Sequence, residues 1–319
     1  VVPPAIFSGY AFPLACSMFT TTRSGISGDV GFVMMINTIG SVIGPMVAAF
    51  LLIPTLGAAL GVVVVMAWLA AGAMLIGSRG AGSTTQRTAM SAVLAISLLT
   101  LVIRPEIRIL PPSFLKFDRE VLFYQEAVEG TISVGQDRGS RSESKYTFVN
   151  NSAVIGSSYD AIKVVKMVGH YPFLLGADIK DVLVIGFGIG VTTSAIASHP
   201  EVETIECVEL VSGLEKAANY YRDRNRNVVD DPRLKIRSGD GRHFLQRSGR
   251  RFDLISCDPT HPILGSGNLY TRDYFQICRE HLNPGGIISQ YLPLHKLRKE
   301  DLLGIIATFA DVFPDCTVW

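Results

Sequence analysis

The sequence predicts a doubly wound α/β domain built on a parallel sheet, preceded by a transmembrane α-helical region. Of the 57 Lys, Arg, Asp and Glu residues in the 319-residue chain, only four lie before residue 104. After residue 156, apolar runs of strand length alternate with longer helical patterns. Parallel strands need crossover connections, so this alternation is typical of a parallel sheet with helices on both faces.

We divide the chain into four parts on this basis. Residues 1–103 are the transmembrane region of about four helices, and residues 104–120 are a proline-rich linker. Residues 121–156 form a small β-hairpin subdomain, and residues 157–319 form a Rossmann-like domain. The chain begins without Met and ends at residues 317–319 as if a strand were starting, so we expect a piece of a longer protein.

The apolar segments 5–22, 32–53, 58–77 and 88–103 are predicted to be membrane helices. Residues 32–78 contain no ionisable acid or base, and a charge at bilayer depth costs about 2.5–3.5 kcal/mol. The segment 32–53 would rise about 33 Å as a helix, enough for a hydrocarbon core of about 30 Å.

The loop charges predict how this region is oriented. If all four segments cross, three Arg residues lie on one side and four basic residues on the other: Arg23, Arg79 and Arg87 against Arg104, Arg108, Lys116 and Arg119. The excess predicts a multi-pass protein of the cell membrane with its charged rear domain in the cytoplasm. The lipid bilayer is then one partner of the chain.

Charge and cysteine content exclude two classes of site. After residue 103 the chain has 26 basic and 27 acidic residues, so no basic surface points to nucleic acid. The five cysteines lack Cys-x-x-Cys spacing. We expect them to be reduced, mostly core residues, and we expect no metal.

Two sets of apolar runs of strand length predict two sheets, a small one before residue 157 and a larger parallel one after it. Residues 122–124, 131–134, 146–149 and 153–155 form the small subdomain, with 136–145 as a hairpin loop. Residues 182–186, 204–210, 234–237, 252–257 and 286–292 form the parallel strands. Ligands of such sheets bind beyond the carboxyl ends of the strands, and the candidate residues follow those ends.

A glycine turn follows the first parallel strand and opens a helix. Gly186, Gly188 and Gly190 leave room for a ligand to approach peptide N–H groups at the helix N-terminus. A dinucleotide turn would have Gly at position 191, where this chain has Val. The pattern suits an adenosylmethionine-type ligand better, and therefore a methyltransferase-type sheet.

Two acids follow the next two strands. Glu209 can accept hydrogen bonds from both ribose hydroxyls of a nucleoside. Asp240, followed by Gly241, could accept from an adenine amino group. Three ligand-facing features on successive strands predict a nucleoside site.

The fourth strand leads into an Asp-Pro loop. Asp258 would face the reactive end of the nucleoside, where a carboxylate can orient or deprotonate an attacking amine. His261 could share the proton transfer or face solvent. A Gly-rich stretch then leads to Tyr270.

Together these residues resemble the spermidine synthase (polyamine aminopropyltransferase) family over about 195 residues. The front part is similar to the membrane portion of fused transporter-like/spermidine synthase proteins of bacteria. Further matching elements are Tyr124-Gln125, Asp-Pro-Arg at 231–233, Leu-Tyr-Thr at 269–271, Pro-Gly-Gly at 284–286 and Gln290.

The resemblance implies a transferase that uses decarboxylated S-adenosylmethionine as co-substrate and a small-molecule amine as acceptor. It gives Asp258 the role of base and Gln125 a place in donor binding. Asp160, His261, Tyr270 and Gln290 would bind the acceptor. The oligomeric state stays open, a homodimer included.

Several family acids are replaced in this chain. The second acid of the diamine motif is Ala161, and its Tyr-His-Glu is Val164-Val165-Lys166. The Asp of the glycine turn is Ile189, and the second Asp of the Asp-x-x-Asp-Pro loop is His261. Charged hydrogen bonds contribute about 1.5–3 kcal/mol each, so the loss of several could abolish the binding of a cationic diamine. The acceptor therefore need not be putrescine.

Two other functions remain open. Intact S-adenosylmethionine could serve for methyl transfer, since its carboxylate would suit Ile189 and Lys166. A non-enzymatic nucleoside sensor coupled to the membrane helices is the second alternative.

Overall fold

The computed structural model describes residues 2–19, 26–79, 84–103, 107–138, 144–258, 266–294 and 297–319. The chain divides into two compact units, residues 1–107 and 108–319. His261 lies outside the described residues.

The first unit is helical throughout its described residues up to Ile103. Its helices are α1 (Val2–Phe19), α2 (Ile26–Val47), α3 (Ile53–Arg79) and α4 (Thr84–Ile103), with a π-helical turn at Ala48–Leu52. Each helix begins a few residues before the corresponding predicted apolar segment. The first turn of α2 contains the polar residues Ser27 and Asp29. A prediction based on hydropathy excludes such residues, although their backbone is helical.

Among the described residues of this unit, one stretch is long and apolar enough to cross a membrane. It runs for 50 residues from Ile26 to Leu75, and a shorter apolar helix covers Arg87–Ile103. Gly57, with φ of 81° and ψ of 163°, interrupts the helical geometry within α3. The residues buried within the unit are mostly small, among them Ala67, Ala70 and Ser97, which lets helices approach closely.

The second unit begins with a small antiparallel sheet. Its strands β1 (Arg119–Glu126), β2 (Thr131–Asp137), β3 (Lys145–Val149) and β4 (Ser152–Gly156) pair in chain order. The predicted linker contains a short helix, α5 (Pro112–Lys116). Phe114 of α5 is buried and packs against Phe148, with ring centroids 5.3 Å apart, so tertiary packing orders this part of the linker.

The larger sheet has five strands, all parallel. They are β5 (Asp181–Ile185), β6 (Thr204–Glu209), β7 (Leu234–Ser238), β8 (Phe252–Cys257) and β9 (Leu282–Gln290), in the order β7-β6-β5-β8-β9. The accompanying helices are α6 (Tyr159–Leu174), α7 (Val191–Ala197), α8 (Leu214–Ala217), α9 (Arg222–Asn225), α10 (Gly241–Ser248), α11 (Arg272–Glu280) and α12 (Lys299–Val312). The predicted parallel α/β sheet is confirmed.

The central strand β5 is covered on both faces. Leu183 and Ile185 belong to one apolar cluster, and Val182 and Val184 belong to another. Successive side chains of a strand point to opposite faces, so this alternation places helices on both sides of the sheet. A strand buried on both faces reads as a continuous apolar run, which is why the sequence reveals it.

Residues 317–319 do not form the strand that the sequence suggests. They have no regular structure, and the Trp319 ring stacks on Tyr171 at 5.4 Å between centroids. A strand needs a neighbouring edge to satisfy its backbone hydrogen bonds, and an apolar pattern alone does not provide that edge.

Candidate active site at the carboxyl edge of the sheet

The glycine turn connects β5 to α7 at the carboxyl edge of the sheet. Gly186, Gly188 and Gly190 have φ angles of 92°, 55° and 77°, a left-handed region that residues with a Cβ rarely adopt. Space is also restricted at Gly190, where a Cβ would lie 2.8 Å from the Phe187 ring and 2.9 Å from Val228. Backbone conformation and packing therefore both require glycine at position 190.

Glu209, at the end of β6, is hydrogen-bonded to the glycine turn. One carboxylate oxygen accepts from the N–H groups of Phe187 (2.7 Å) and Gly188 (3.1 Å), and the other accepts from Val211 (2.9 Å). Burial raises the pKa of Glu209, and these backbone hydrogen bonds oppose the shift. Glu209 therefore braces the glycine turn through Phe187 and Gly188 and the loop after β6 through Val211, and its role in binding a ribose hydroxyl stays a prediction.

Gln125 of β1 reaches the loop that follows β6. A Cβ at Gly213 would lie 2.6 Å from the amide nitrogen of Gln125, so this side chain lies directly on the Gly213 backbone. Gly213 follows Glu209 by four residues. The small antiparallel sheet thus places Gln125 close to the predicted donor site.

Asp240 and Gly241 lie at the start of α10, after β7. Oδ1 of Asp240 accepts from the backbone N–H of His243 at 2.8 Å and so caps the helix. A Cβ at Gly241 would lie 2.5 Å from Cγ2 of Ile185. Both residues thus have structural roles in joining α10 to the sheet, and their roles in ligand binding stay predictions.

Asp258 immediately follows β8. Its backbone N–H donates to the Ile185 carbonyl at 3.0 Å, which holds it beside the start of the glycine turn. Oδ2 accepts from the Thr192 hydroxyl at 2.5 Å, whereas Oδ1 is buried and has no hydrogen-bond partner among the described residues. Burial raises the pKa of Asp258 to about 7, and the bond from Thr192 opposes the rise.

Tyr270 and Gln290 lie close to Asp258. The Tyr270 hydroxyl and the Gln290 amide each donate to the Tyr291 carbonyl at 3.3 Å. Gln290 pairs in register with Cys257, the residue before Asp258. Burial, followed by the negative charges of neighbours that include Asp258, raises the pKa of Tyr270. The structure therefore brings three predicted residues, Asp258, Tyr270 and Gln290, into one cluster.

Two predicted residues remain, Asp160 and His261. Asp160 is exposed in the first turn of α6, where Ser158 caps the helix by accepting from the Ala161 N–H. His261 follows Asp258 by three residues but lies outside the described residues. Their predicted roles in acceptor binding stay predictions.

Two polar residues that the sequence analysis did not identify support the site. Asn225 is fully buried and donates to the carbonyls of Ile189 (2.8 Å) and Ala218 (2.9 Å). It therefore links the glycine turn to the chain at residue 218. Thr192, in the first turn of α7, contacts Asp258. The run Thr192-Thr193-Ser194 in an otherwise apolar helix was the available sequence signal.

The arrangement places a glycine turn beside a carboxyl group that can act as a base. The glycines leave room for a ligand to approach the backbone of the turn, and the strand-end carboxylates can accept from its hydroxyls or amino groups. A buried carboxyl with a pKa near 7 exchanges protons readily at neutral pH. Among the residues that the structure describes, no group of three His, Cys, Asp or Glu side chains could hold a metal ion.

Comparisons with known proteins agree with this geometry. The sequence model of the spermine/spermidine synthase domain matches residues 162–319. A polyamine aminopropyltransferase of Escherichia fergusonii is 32% identical over 151 residues, which cover 47% of this chain and 52% of the relative. One of Nitrosomonas europaea is 32% identical over 145 residues, 45% of each chain. The chain thus spans about half the length of these relatives.

Solved structures show the same fold. A spermidine synthase from Thermotoga maritima matches with a TM-score of 0.52 at 23% identity, covering 62% of this chain and 65% of that one. A spermidine synthase in complex with the transition state analogue AdoDATO matches with a TM-score of 0.51 at 22% identity and the same coverages. The likeness extends to the arrangement of the sheet and its helices.

Proposed function

Residues 162–319 belong to the spermine/spermidine synthase domain family, and we propose on this basis that the chain is a membrane-anchored aminopropyltransferase. It transfers the aminopropyl group of decarboxylated S-adenosylmethionine to a small amine. The family match and the named aminopropyltransferase relatives support the donor. The observation that carries the proposal is the buried Asp258 carboxyl, with a pKa of about 7, at the end of β8.

The reaction needs such a group because an ammonium has no electron pair with which to attack. Asp258 takes a proton from the acceptor ammonium, and the freed nitrogen pair forms a bond to the methylene carbon next to the sulfonium. The carbon–sulfur bond breaks, its electron pair stays on sulfur, and methylthioadenosine leaves as a neutral thioether. A carboxyl with a pKa near 7 is ionised in a large fraction of molecules at neutral pH.

Donor binding falls to the glycine turn and the strand ends around it. Gly186, Gly188 and Gly190 allow close approach of the nucleoside, and Glu209 holds this turn in place through the N–H groups of Phe187 and Gly188. The family's Asp in this turn is Ile189 here, which is 1% exposed in an apolar cluster. This position therefore supplies no anion for the amino group of the donor.

The acceptor is better matched by an amine without a second cationic end. Lys166 stands in the family's diamine motif and is half-buried on α6. Its charge lies close enough to His170 to contribute to the lowered pKa of that histidine, after burial and the charges of His199 and Arg226. A diamine would bring a second positive charge towards this region.

Product analysis with each donor tests the proposal. We expect detergent-solubilised full chain, given decarboxylated S-adenosylmethionine and a panel of monoamines and diamines, to release methylthioadenosine. Adenosylhomocysteine formed from intact S-adenosylmethionine would instead establish methyl transfer at the same site. Donor binding without any product under the whole panel would favour a sensor.

Membrane anchoring is proposed from the first unit. Large apolar side chains are exposed along its helices, including Met34, Val42, Trp68 and Val102. The stretch Ile26–Leu75 can cross a bilayer by length and composition, and water would have to solvate these side chains otherwise. The basic residues after the last helix favour a cytoplasmic second unit.

Membrane extraction and protease protection test the anchoring. We expect the full chain, expressed in bacteria, to stay in the membrane pellet after alkaline carbonate washing and to be released by detergent. Residues 108–319 should resist protease in spheroplasts and be digested in inside-out vesicles. Release of the chain by carbonate alone would contradict anchoring, and digestion in spheroplasts would contradict the cytoplasmic orientation.

A further inference from the structure

Thr192 connects the glycine turn to the Asp258 carboxyl. It is the second residue of α7, directly after Gly190 and Val191, and only 4% of its surface is exposed. Its hydroxyl oxygen lies 2.5 Å from Oδ2 of Asp258 and 3.1 Å from the Val165 carbonyl of α6. One side chain therefore contacts both α6 and the residue that follows β8.

The hydroxyl contributes one hydrogen to these two acceptors. A hydroxyl can donate only one full hydrogen bond, and an ionised carboxylate is a stronger acceptor than a neutral carbonyl. When Asp258 is ionised, the hydrogen is therefore directed to Oδ2. The Val165 carbonyl, at 3.1 Å, is then the weaker of the two acceptors.

This bond makes the two oxygens of Asp258 different. Oδ2 is occupied, and Oδ1 is buried without a hydrogen-bond partner in the described part of the chain. An unpartnered buried acceptor is costly and rare in folded proteins, and a ligand that donates a hydrogen bond would satisfy it. Oδ1 is thus the atom that can accept a proton from a bound ammonium.

The other groups near the carboxyl do not replace Thr192. The titratable side chains whose charges interact with Asp258 are Cys257, Tyr270 and Tyr291. Proximity to the Asp258 carboxylate contributes to the raised pKa of each of them, after burial. None of these three is a cation at neutral pH, so the described surroundings stabilise the ionised carboxylate chiefly through the Thr192 hydroxyl.

We propose that Thr192 is a positioning residue for Asp258. Its hydroxyl holds Oδ2, fixes the plane of the carboxyl relative to the glycine turn, and leaves Oδ1 as the basic atom. The part of this inference that concerns a bound amine rests on the proposed aminopropyl transfer. The part that concerns the titration of Asp258 stands without it.

Titration of Asp258 in variants tests the inference directly. The carboxyl carbon is followed by ¹³C NMR of full chain labelled at Asp in detergent, and its signal is identified by its loss in Asp258→Asn. Thr192→Val keeps the shape of the side chain and removes the hydroxyl. We expect it to raise the pKa of Asp258 by about one unit, because the ionised form loses its charge-assisted hydrogen bond. Thr192→Ser should restore the wild-type titration.

The next residue provides the matched control. Thr193 is fully buried in the same helix turn and lies beside Cys207, so Thr193→Val makes the same chemical change away from Asp258. It should leave the Asp258 titration unchanged. Thr192→Ala serves as a second variant without the hydroxyl, in case Thr192→Val folds poorly.

Activity gives the second readout. If the chain transfers aminopropyl groups, Thr192→Val should lower kcat about tenfold at pH 7, shift the acid limb of the pH profile upward, and leave the KM of the donor unchanged. An Asp258 titration that is the same in Thr192→Val, Thr192→Ala and wild type would overturn the inference. A shifted titration in a chain that makes no product would overturn the proposed function and keep the positioning role.

Discussion

Replacing Asp258 by Asn should reduce aminopropyl transfer about a thousand-fold, since Asn keeps the size of the side chain but cannot accept a proton. General base groups contribute about 10²- to 10⁴-fold to rates. Donor affinity, measured by calorimetric titration, should change little, because the glycine turn and Glu209 are left intact. A variant that keeps more than a tenth of the wild-type kcat would show that Asp258 is not the base.

The same change should make the fold more stable above pH 7. The pKa of Asp258 in the fold, about 7, lies above its ordinary value of 3.8 because of burial. Between these two values the folded chain holds a proton that the unfolded chain has released, so the stability of the wild type falls as pH rises through this window. At pH 8 we expect Asp258→Asn to gain on the order of 2 kcal/mol, and below pH 4 to gain nothing.

The buried thiols of the second unit report this unfolding. Cys207, Cys257 and Cys278 are buried and free, so a fluorogenic thiol reagent labels them only when the parallel sheet opens. The partly exposed Cys16 and Cys316 are replaced by Ser in both wild type and Asp258→Asn. Heating each protein in detergent at pH 5 and at pH 8 then gives one thermal unfolding transition at each pH. If the difference in stability between Asp258→Asn and wild type is the same at both pH values, the raised pKa of Asp258 is contradicted.

Gly190→Ala should weaken donor binding at least tenfold. The new Cβ would lie 2.8 Å from the Phe187 ring and 2.9 Å from Val228, in a residue with φ of 77°. The left-handed conformation costs about 1–2 kcal/mol for a residue with a Cβ, and the contacts force the turn to move as well. Calorimetric titration with decarboxylated and intact S-adenosylmethionine should show at least a tenfold loss of affinity for whichever donor binds.

Gly176 offers a control for the backbone strain alone. It has a φ of 75°, and a Cβ there would meet nothing within 4 Å. Gly176→Ala should therefore cost about the same strain as Gly190→Ala and leave donor affinity unchanged. Equal affinities in the two variants would show that the glycine turn does not hold the donor.

Several features of the fold were predictable from residue patterns. The five parallel strands are short apolar runs, because each lies between two covering layers, and their alternation with helices predicts the sheet. The near absence of charge before residue 104 separates the two regions of the chain. Glycines and acids placed after strands predict the edge at which Asp258, Tyr270 and Gln290 meet.

Other features depended on contacts between distant residues. Glu209 and Asp240 were assigned to a ligand from their positions, but in the fold Glu209 accepts from backbone N–H groups of the glycine turn, and Asp240 caps α10. Carboxylates after strands satisfy whichever donors lie nearest, and the sequence does not tell whether these belong to the protein or to a ligand.

The sequence by itself determined the parallel sheet and the edge where chemistry is expected, because these follow from periodic burial and from local backbone conformation. Only the tertiary structure decided the properties of Asp258. Its proton affinity depends on how completely water is removed, and its orientation depends on Thr192, which lies 66 residues earlier in the chain. Both depend on the contact that brings Thr192 of α7 to the residue after β8, which no local pattern encodes.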